Sequence, residues 1–198
     1  EHPQTARFVA TKLVRYFMGD EDSDWIERTA ETYRQTGGDI RAMVRPMLIS
    51  KDLLTAPVIL KRPFDYAASA LRAVEAETDG GPGVLDHLDR MGQSLYEWPM
   101  PDGYPDKTSA WTGSMLARWN FSFALTAGAI RGTQVNWKRV EDDREPATVA
   151  LERLFVARPE QNRGLYERLG EHVQSTIGLA AMREATALAM ASPEYQWR

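Results

Sequence analysis

The stretch PQTARFVATKLVRYF, residues 3–17, decides the fold class. Its apolar residues recur every three or four positions, at Ala6, Val9, Ala10, Leu13 and Phe17. Because an α-helix repeats every 3.6 residues, that spacing places them on one face of a helix. The chain is therefore predicted to begin with an amphipathic helix.

The same period returns along the rest of the chain between punctuating Gly, Pro and Asp residues. Segments with such an apolar face are 26–33, 40–48, 64–74, 85–91, 116–130, 146–155, 165–169 and 177–190. No stretch shows the strict alternation that half-buried strands require. The predicted fold class is all-α, an irregular multi-helix bundle with one long loop rich in aromatic residues and proline.

Local signals place several helix ends. Asp24 and Glu27 resemble a capping box for the second helix, and Asp39 is positioned to cap the third. Pro46 lacks the N–H that would pair with a preceding carbonyl, so a kink or break is expected there. Further along, the apolar residues of the 116–130 segment form one stripe: Leu116, Trp119, Phe123, Ala127 and Ile130.

A length of 198 residues is sufficient for a domain with a substantial core, and we predict a single helical domain over residues 1–198. The sharpest internal punctuation is the run DGGPG at 79–83, which is a candidate hinge or a plain loop. The chain begins without Met and enters a helical pattern at once. We expect it to be the C-terminal part of a longer protein.

The composition argues against several classes of function. With 24 Lys and Arg against 28 Asp and Glu, and no basic run, nucleic acid is not an expected partner. The absence of cysteine excludes disulfides and thiol nucleophiles. No apolar run approaches the roughly 18 residues of a membrane span.

Motifs for chemistry are equally scarce. The common phosphate, dinucleotide, serine-hydrolase and zinc-protease signatures do not occur, so no cofactor is predicted and the catalytic residues, if any, stay unknown. The three histidines, His2, His87 and His172, are far apart in sequence, and no metal site is predicted.

One segment, from Gly92 to Gly113, loses the helical period. It contains three prolines and the aromatic residues Tyr96, Trp98, Tyr104 and Trp111. Long irregular stretches inside compact domains are uncommon and often functional. Exposed rings of this kind suit stacking on sugars or other ligands, whereas buried ones plug the gaps between helices. Both interpretations stay open for this loop.

Three polar residues join these aromatics as candidate binding residues. Arg118 and Asn120 interrupt the apolar helix that follows the loop, and if buried they need hydrogen-bond partners, most simply carbonyls of the loop. Their predicted role is to hold it. His2 precedes a helix-opening proline, where it either bonds the first turn or contributes an imidazole to a site.

Three groups of residues carry a family resemblance. The opening group is His2-Pro3, Ala6-Arg7-Phe8, Lys12-Leu13 and Gly38-Asp39. The middle group is Met91-Gly92-Gln93, Leu95-Tyr96, Pro99, Asp102-Gly103-Tyr104-Pro105, Trp111 and Leu116-Ala117-Arg118-Trp119-Asn120-Phe121. The closing group is Ala191-Ser192-Pro193-Glu194-Tyr195-Gln196. In this order the chain resembles the bacterial family catalogued as domain of unknown function 1800.

The resemblance spans essentially the whole chain, with one departure at Tyr104, where that family often has Trp. It implies a longer protein with an N-terminal part outside this chain. It also implies export to the periplasm or the cell exterior, and a sulfatase-like partner protein, because such a protein is frequently encoded beside members of the family. It implies no reaction.

Three hypotheses follow. In the first, the chain belongs to an exported binding protein whose aromatic loop docks a partner protein or a polysaccharide. In the second, it is part of an enzyme, hydrolase-like, whose catalytic groups lie mainly in the N-terminal part, with His2, Arg7 or Arg118 completing the site. In the third, it is a purely structural helical module that supports that N-terminal part.

Overall fold

A computed structural model describes residues 2, 4–19, 22–137, 163–175 and 179–197. Within these ranges the helices are α1 Thr5–Met18, α2 Ser23–Thr36, α3 Ile40–Ile49, α4 Asp52–Thr55, α5 Pro63–Ala73, α6 Pro82–Arg90, α7 Met115–Thr126, α8 Arg163–Ser175 and α9 Leu179–Ala191. The predicted all-α class is confirmed. The predicted helix over 146–155 lies outside the described residues.

Regular strand structure in the described part of the chain is confined to a few residues. Strands β1 (Glu77–Thr78) and β2 (Thr133–Gln134) pair antiparallel, and an isolated bridge joins Leu60 to Trp197. No helix within the described ranges is long and apolar enough to cross a membrane.

Contacts divide the chain into two compact units, Glu1–Ile59 and Leu60–Arg198. The candidate hinge at 79–83 lies inside the second unit, where the backbone N–H of Asp79 donates to the carbonyl of Gly132 at 3.0 Å. One domain over the whole chain therefore stays a prediction, and each unit is described by itself.

The first unit packs α1, α2 and α3 around a core of small and apolar side chains: Ala6, Ala10, Val14, Met18, Trp25, Ile26, Ala30 and Met47. Asp22, and not the predicted Asp24, is the N-cap of α2, because its carboxylate accepts the N–H groups of Asp24 and Trp25 at 2.9 and 3.0 Å. Asp39 caps α3 as predicted. That helix continues through Pro46 to Ile49, so the alternative of a break is wrong.

The second unit gathers α5, α6, α7, α8 and α9 around one core. Its buried members include Tyr66, Leu88, Phe121, Leu125 and Met190. Helix α5 begins at Pro63 as predicted, since proline has no N–H to leave unpaired in a first turn.

Helix α7 differs from its prediction in length and in the face it buries. It ends at Thr126, before Ala127 and Ile130. Its buried face is Arg118, Phe121, Ser122, Leu125 and Thr126. The helical members of the predicted stripe are exposed instead, with Leu116 67%, Trp119 45% and Phe123 44% accessible, while Ile130, beyond the helix, is buried. The hydroxyls of Ser122 and Thr126 can face this core because each has a local acceptor: Ser122 donates to the Trp119 carbonyl and Thr126 to that of Phe123.

Candidate functional site

The long loop between α6 and α7 is tied to α5 at its start. The side chain of Gln93 is buried, and its Oε1 accepts the backbone N–H of Phe64 at 2.8 Å. Phe64 is in the first turn of α5, where N–H groups have no partner within the helix. A side chain of the loop thus completes the start of that helix.

Three of the four predicted aromatic residues pack on one another. The ring centroids of Trp98 and Tyr104 are 5.3 Å apart, and those of Tyr104 and Trp111 are 6.4 Å apart. Trp111 is buried and its indole N–H donates to the Pro105 carbonyl at 3.0 Å, while the Tyr104 hydroxyl donates to the Ser94 carbonyl. These rings fill the inside of the loop.

Tyr96 is different from the other three. Its side chain is 99% exposed, and its φ of +65° is in the left-handed region, which side chains with a Cβ rarely adopt. A ring held in this way contributes nothing to the core. It is available to a binding partner.

A cleft of about 580 Å³ is lined in part by Leu95, the residue before Tyr96. Its walls come from α5, α6 and the connections that follow them: Phe64, Ala67, Ala68, Leu71, Arg72, Glu75, Ala76, Thr78, Gly80, Val84, Leu85, Leu88 and Leu95. Six of these thirteen residues are apolar residues whose spacing predicted the two helices. The faces of α5 and α6 do not pack fully against each other, and the space between them has the volume of an ordinary ligand site.

Of the two non-glycine residues with positive φ in the described chain, one lines this cleft and the other follows a lining residue in the sequence. Glu75, at φ +47°, lines it just after α5, and Tyr96 directly follows the lining residue Leu95. A left-handed backbone costs roughly 1–2 kcal/mol for a residue that carries a Cβ. Such strain persists where surrounding structure imposes it, and it concentrates at functional sites.

Arg118 is fully buried and joins α7 to the chain end. Its Nε donates to the Ser114 hydroxyl at 3.0 Å, and that hydroxyl donates to the Trp111 carbonyl at 3.0 Å. Its Nη1 donates to Oε1 of Gln196 at 3.2 Å. Arg118 thus reaches the loop through a hydroxyl instead of bonding loop carbonyls directly. Asn120 lies on the exposed side of α7.

Sequence reasoning missed the partners of Arg118. The Gln196 amide donates to the carbonyls of Met190 and Ser192 at 2.9 and 3.2 Å. The Tyr66 hydroxyl is within 3.1 Å of the carbonyls of Arg118 and Met190. The sequence signal was the polar end of the closing motif, which folds back onto α7 and α5.

Burial sets the protonation of this network. It raises the pKa of Tyr66 far above its usual value, and it raises the pKa of Tyr195 to about 12. Burial also lowers the pKa of Arg118, which still carries its charge at neutral pH. Both hydroxyls therefore stay protonated. A protonated hydroxyl can donate the hydrogen bonds of a structural network, whereas an activated nucleophile has a lowered pKa.

The histidines lie in separate local settings. His2, in the first unit, accepts the Gln4 backbone N–H on Nδ1 at 3.2 Å, as a residue at a helix entry does. His87 packs edge-on against Phe121, and partial burial lowers its pKa. His172 lies 3.4 Å from Glu184. The described part of the chain contains no cluster of three or more His, Cys, Asp or Glu side chains that could hold a metal.

Fold and site define a mostly helical protein with a buried polar network, an apolar cleft and a strained, exposed tyrosine. The family model described as "Protein of unknown function (DUF1800)" matches residues 1–197, so the chain belongs to that family. Searches of curated proteins and of solved structures gave no match.

Proposed function

We propose that the chain is a binding module that takes a segment of a partner protein into the cleft between α5 and α6, beside Tyr96. One observation carries the proposal: the apolar cleft of about 580 Å³, which Glu75 and Leu95 line and whose residue Leu95 is followed by the exposed Tyr96. At Glu75 the left-handed conformation ends α5, since the Ala76 N–H donates to the Leu71 carbonyl at 2.8 Å. Tyr96 is the residue whose backbone conformation and exposure together support a binding role.

The nature of the walls favours a polypeptide. The cleft is apolar along the faces of α5 and α6, while Arg72 and Glu75 place opposite charges on its border. An amphipathic segment matches that pattern, with apolar side chains inside and polar groups at the edge. A polysaccharide fits less well, because sugar stacking needs exposed flat rings and three of the four aromatic residues are packed on one another.

We further propose that the partner is the sulfatase-like protein and that binding takes place after export. The family resemblance supports both points. Neither depends on the cleft, so each is tested separately.

The test is calorimetric titration of this chain with the purified sulfatase-like protein and with soluble polysaccharides. Leu85→Glu places a charge in the cleft and Tyr96→Ala removes the exposed ring; we expect the first to weaken partner binding at least roughly tenfold, the scale of one lost buried leucine contact. Leu54→Glu is the matched control, since Leu54 is 82% exposed in the first unit.

Each result decides one part of the proposal. Unchanged affinity in both cleft variants refutes the cleft as the binding site. If polysaccharide produces heat in the titration and the sulfatase-like protein does not, the ligand is the sugar and the proposed protein partner is contradicted. Detection of the full-length protein in the cytosolic fraction contradicts export.

A further inference from the structure

The dipeptide Asp-Gly occurs twice in the chain, at Asp79-Gly80 and at Asp102-Gly103. In such a pair the glycine nitrogen can attack the aspartate side chain and close a five-membered ring. Glycine favours this reaction because it has no Cβ to hinder the approach and because its backbone adopts many conformations. The two sites contain the same reacting groups and differ in how the fold holds them.

Hydrogen bonds hold both reacting groups of the first site. The Asp79 carboxylate accepts the N–H of Gly81 at 2.8 Å, and the N–H of Gly80 donates to the Thr78 hydroxyl oxygen at 3.2 Å. The backbone N–H of Asp79 also donates to the Gly132 carbonyl at 3.0 Å, beside the paired strands β1 and β2. Ring closure at this site has to break the first two bonds before the nitrogen can reach the carboxyl carbon.

The second site is held much more loosely. Asp102 and Gly103 are both exposed, and the Asp102 carboxylate has no hydrogen bond or ion pair with any residue that the structure describes. The Gly103 N–H makes one turn bond, to the Met100 carbonyl at 3.4 Å, which is long for a bond of this kind. A Cβ on Gly103 would meet nothing within 4 Å, so there is open space for a ring. The nitrogen and the carboxyl carbon can therefore approach each other without loss of a strong contact.

We infer that Asp102 is a site of spontaneous conversion to isoaspartate. The Gly103 nitrogen loses its proton and bonds to the side-chain carboxyl carbon of Asp102, whose hydroxyl leaves as water, and a succinimide forms. A water molecule then opens the ring. Attack at the main-chain carbonyl carbon breaks its bond to the Gly103 nitrogen and gives isoaspartate, while attack at the side-chain carbon restores aspartate. Water is the only co-reactant, and the mass of the chain is unchanged.

The product adds one methylene to the main chain inside the aromatic loop. Tyr104 follows shortly after Asp102, and its ring packs against those of Trp98 and Trp111. A longer backbone changes the position that Tyr104 can take, so the modification alters the packing of the loop. None of these three rings lines the cleft of the proposed function, so the modification and that proposal can fail separately.

Timed incubation of the chain in neutral buffer tests the site. Peptide mapping with electron-transfer fragmentation distinguishes isoaspartate from aspartate, and heavy-oxygen water in the buffer adds one labelled oxygen atom at each ring opening. In the folded chain we expect Asp102 to react at least roughly tenfold faster than Asp79, the scale of the two hydrogen bonds that hold the first site. In guanidinium chloride, where both sites lose the fold, the two rates should converge.

Asp102→Glu is the matched variant, because it keeps the carboxylate but would need a six-membered ring, which forms more slowly. It should remove the labelling at this position and leave the rate at Asp79 unchanged. Equal rates at the two sites in the folded chain would overturn the inference, as would absence of label from Asp102. A difference that persists in denaturant would also overturn it, since neighbouring residues and not the fold would then explain the difference.

Discussion

Tyr96 combines two properties that oppose folding stability. Its ring is almost entirely in solvent, so it gains no burial energy, and its backbone is in a conformation that favours glycine. A residue selected for stability alone at this position would be glycine or asparagine. The fold gains nothing from this ring, which is why Tyr96 is part of the proposed binding site.

Replacing Tyr96 by glycine should raise the free energy of unfolding by about 0.5–1 kcal/mol. Relief of the left-handed strain, roughly 1–2 kcal/mol, exceeds the entropy that glycine adds to the unfolded chain. Urea denaturation measures the change, and partner titration should show weaker binding by the same variant. Glu97→Gly is the control, because Glu97 has no positive φ and glycine there should lower stability. Equal losses in both variants would contradict the strain argument.

Arg118 illustrates what a sequence reveals of a buried polar residue. Its place within an apolar helix indicated that it needs partners, and one of them is Ser114, four residues away, in place of the loop carbonyls that were expected. The other partner, Gln196, is 78 residues away and joins it through the fold. Local spacing predicts the first kind of contact. Nothing local predicts the second.

At the scale of elements, periodicity predicted where helices occur better than which face they bury. The apolar faces of α5 and α6 were predicted, but the same residues border an open cleft, because the helices do not close on each other. The predicted apolar stripe of α7 is exposed at Leu116, Trp119 and Phe123, because the core takes the face containing Arg118, Ser122 and Thr126. Hydrophobicity alone could not indicate this, since the buried polar groups depend on acceptors supplied by the folded chain.

The loop at 79–83 fixes α6, and with it one wall of the cleft. A Cβ on Gly83 would lie 2.2 Å from the Arg131 carbonyl oxygen, and one on Gly132 would lie 2.4 Å from the Asp79 carboxylate. Two glycines thus permit the close approach of the α6 start to the turn before β2. The backbone is therefore closely packed at this junction.

Gly83→Ala should therefore lower the free energy of unfolding by about 1–3 kcal/mol, the usual cost of overpacking against backbone that cannot move freely. Gly113→Ala is the matched control. A Cβ there meets nothing within 4 Å and φ is not positive, so the variant should be neutral or gain up to about 1 kcal/mol from reduced unfolded-state entropy. Chemical denaturation of both variants measures the difference in the free energy of unfolding. Equal stability would show that the backbone around Gly83 can shift at little cost in free energy.

For the molecule as a whole, each compact unit has a hydrophobic core of its own. Met47 is fully buried in the first and Met190 in the second. Such cores allow compact units to open separately, whereas a single domain loses protection throughout. The sequence alone favoured one domain over residues 1–198, and it contains no composition shift near residue 59 that would indicate a division. The two possibilities differ in which segments lose protection when one core residue is truncated.

Met47→Ala should weaken protection against hydrogen exchange in the first unit alone. Truncating a buried methionine costs about 2–5 kcal/mol, and that loss appears in every segment that opens together with the altered core. Peptide-level exchange followed by mass spectrometry should therefore show faster exchange across 4–59 and unchanged exchange in the protected core segments of 60–137 and 179–197. Met190→Ala is the reciprocal variant, with the opposite pattern. Faster exchange in both units from either substitution would mean that they unfold as one cooperative domain, as the sequence predicted.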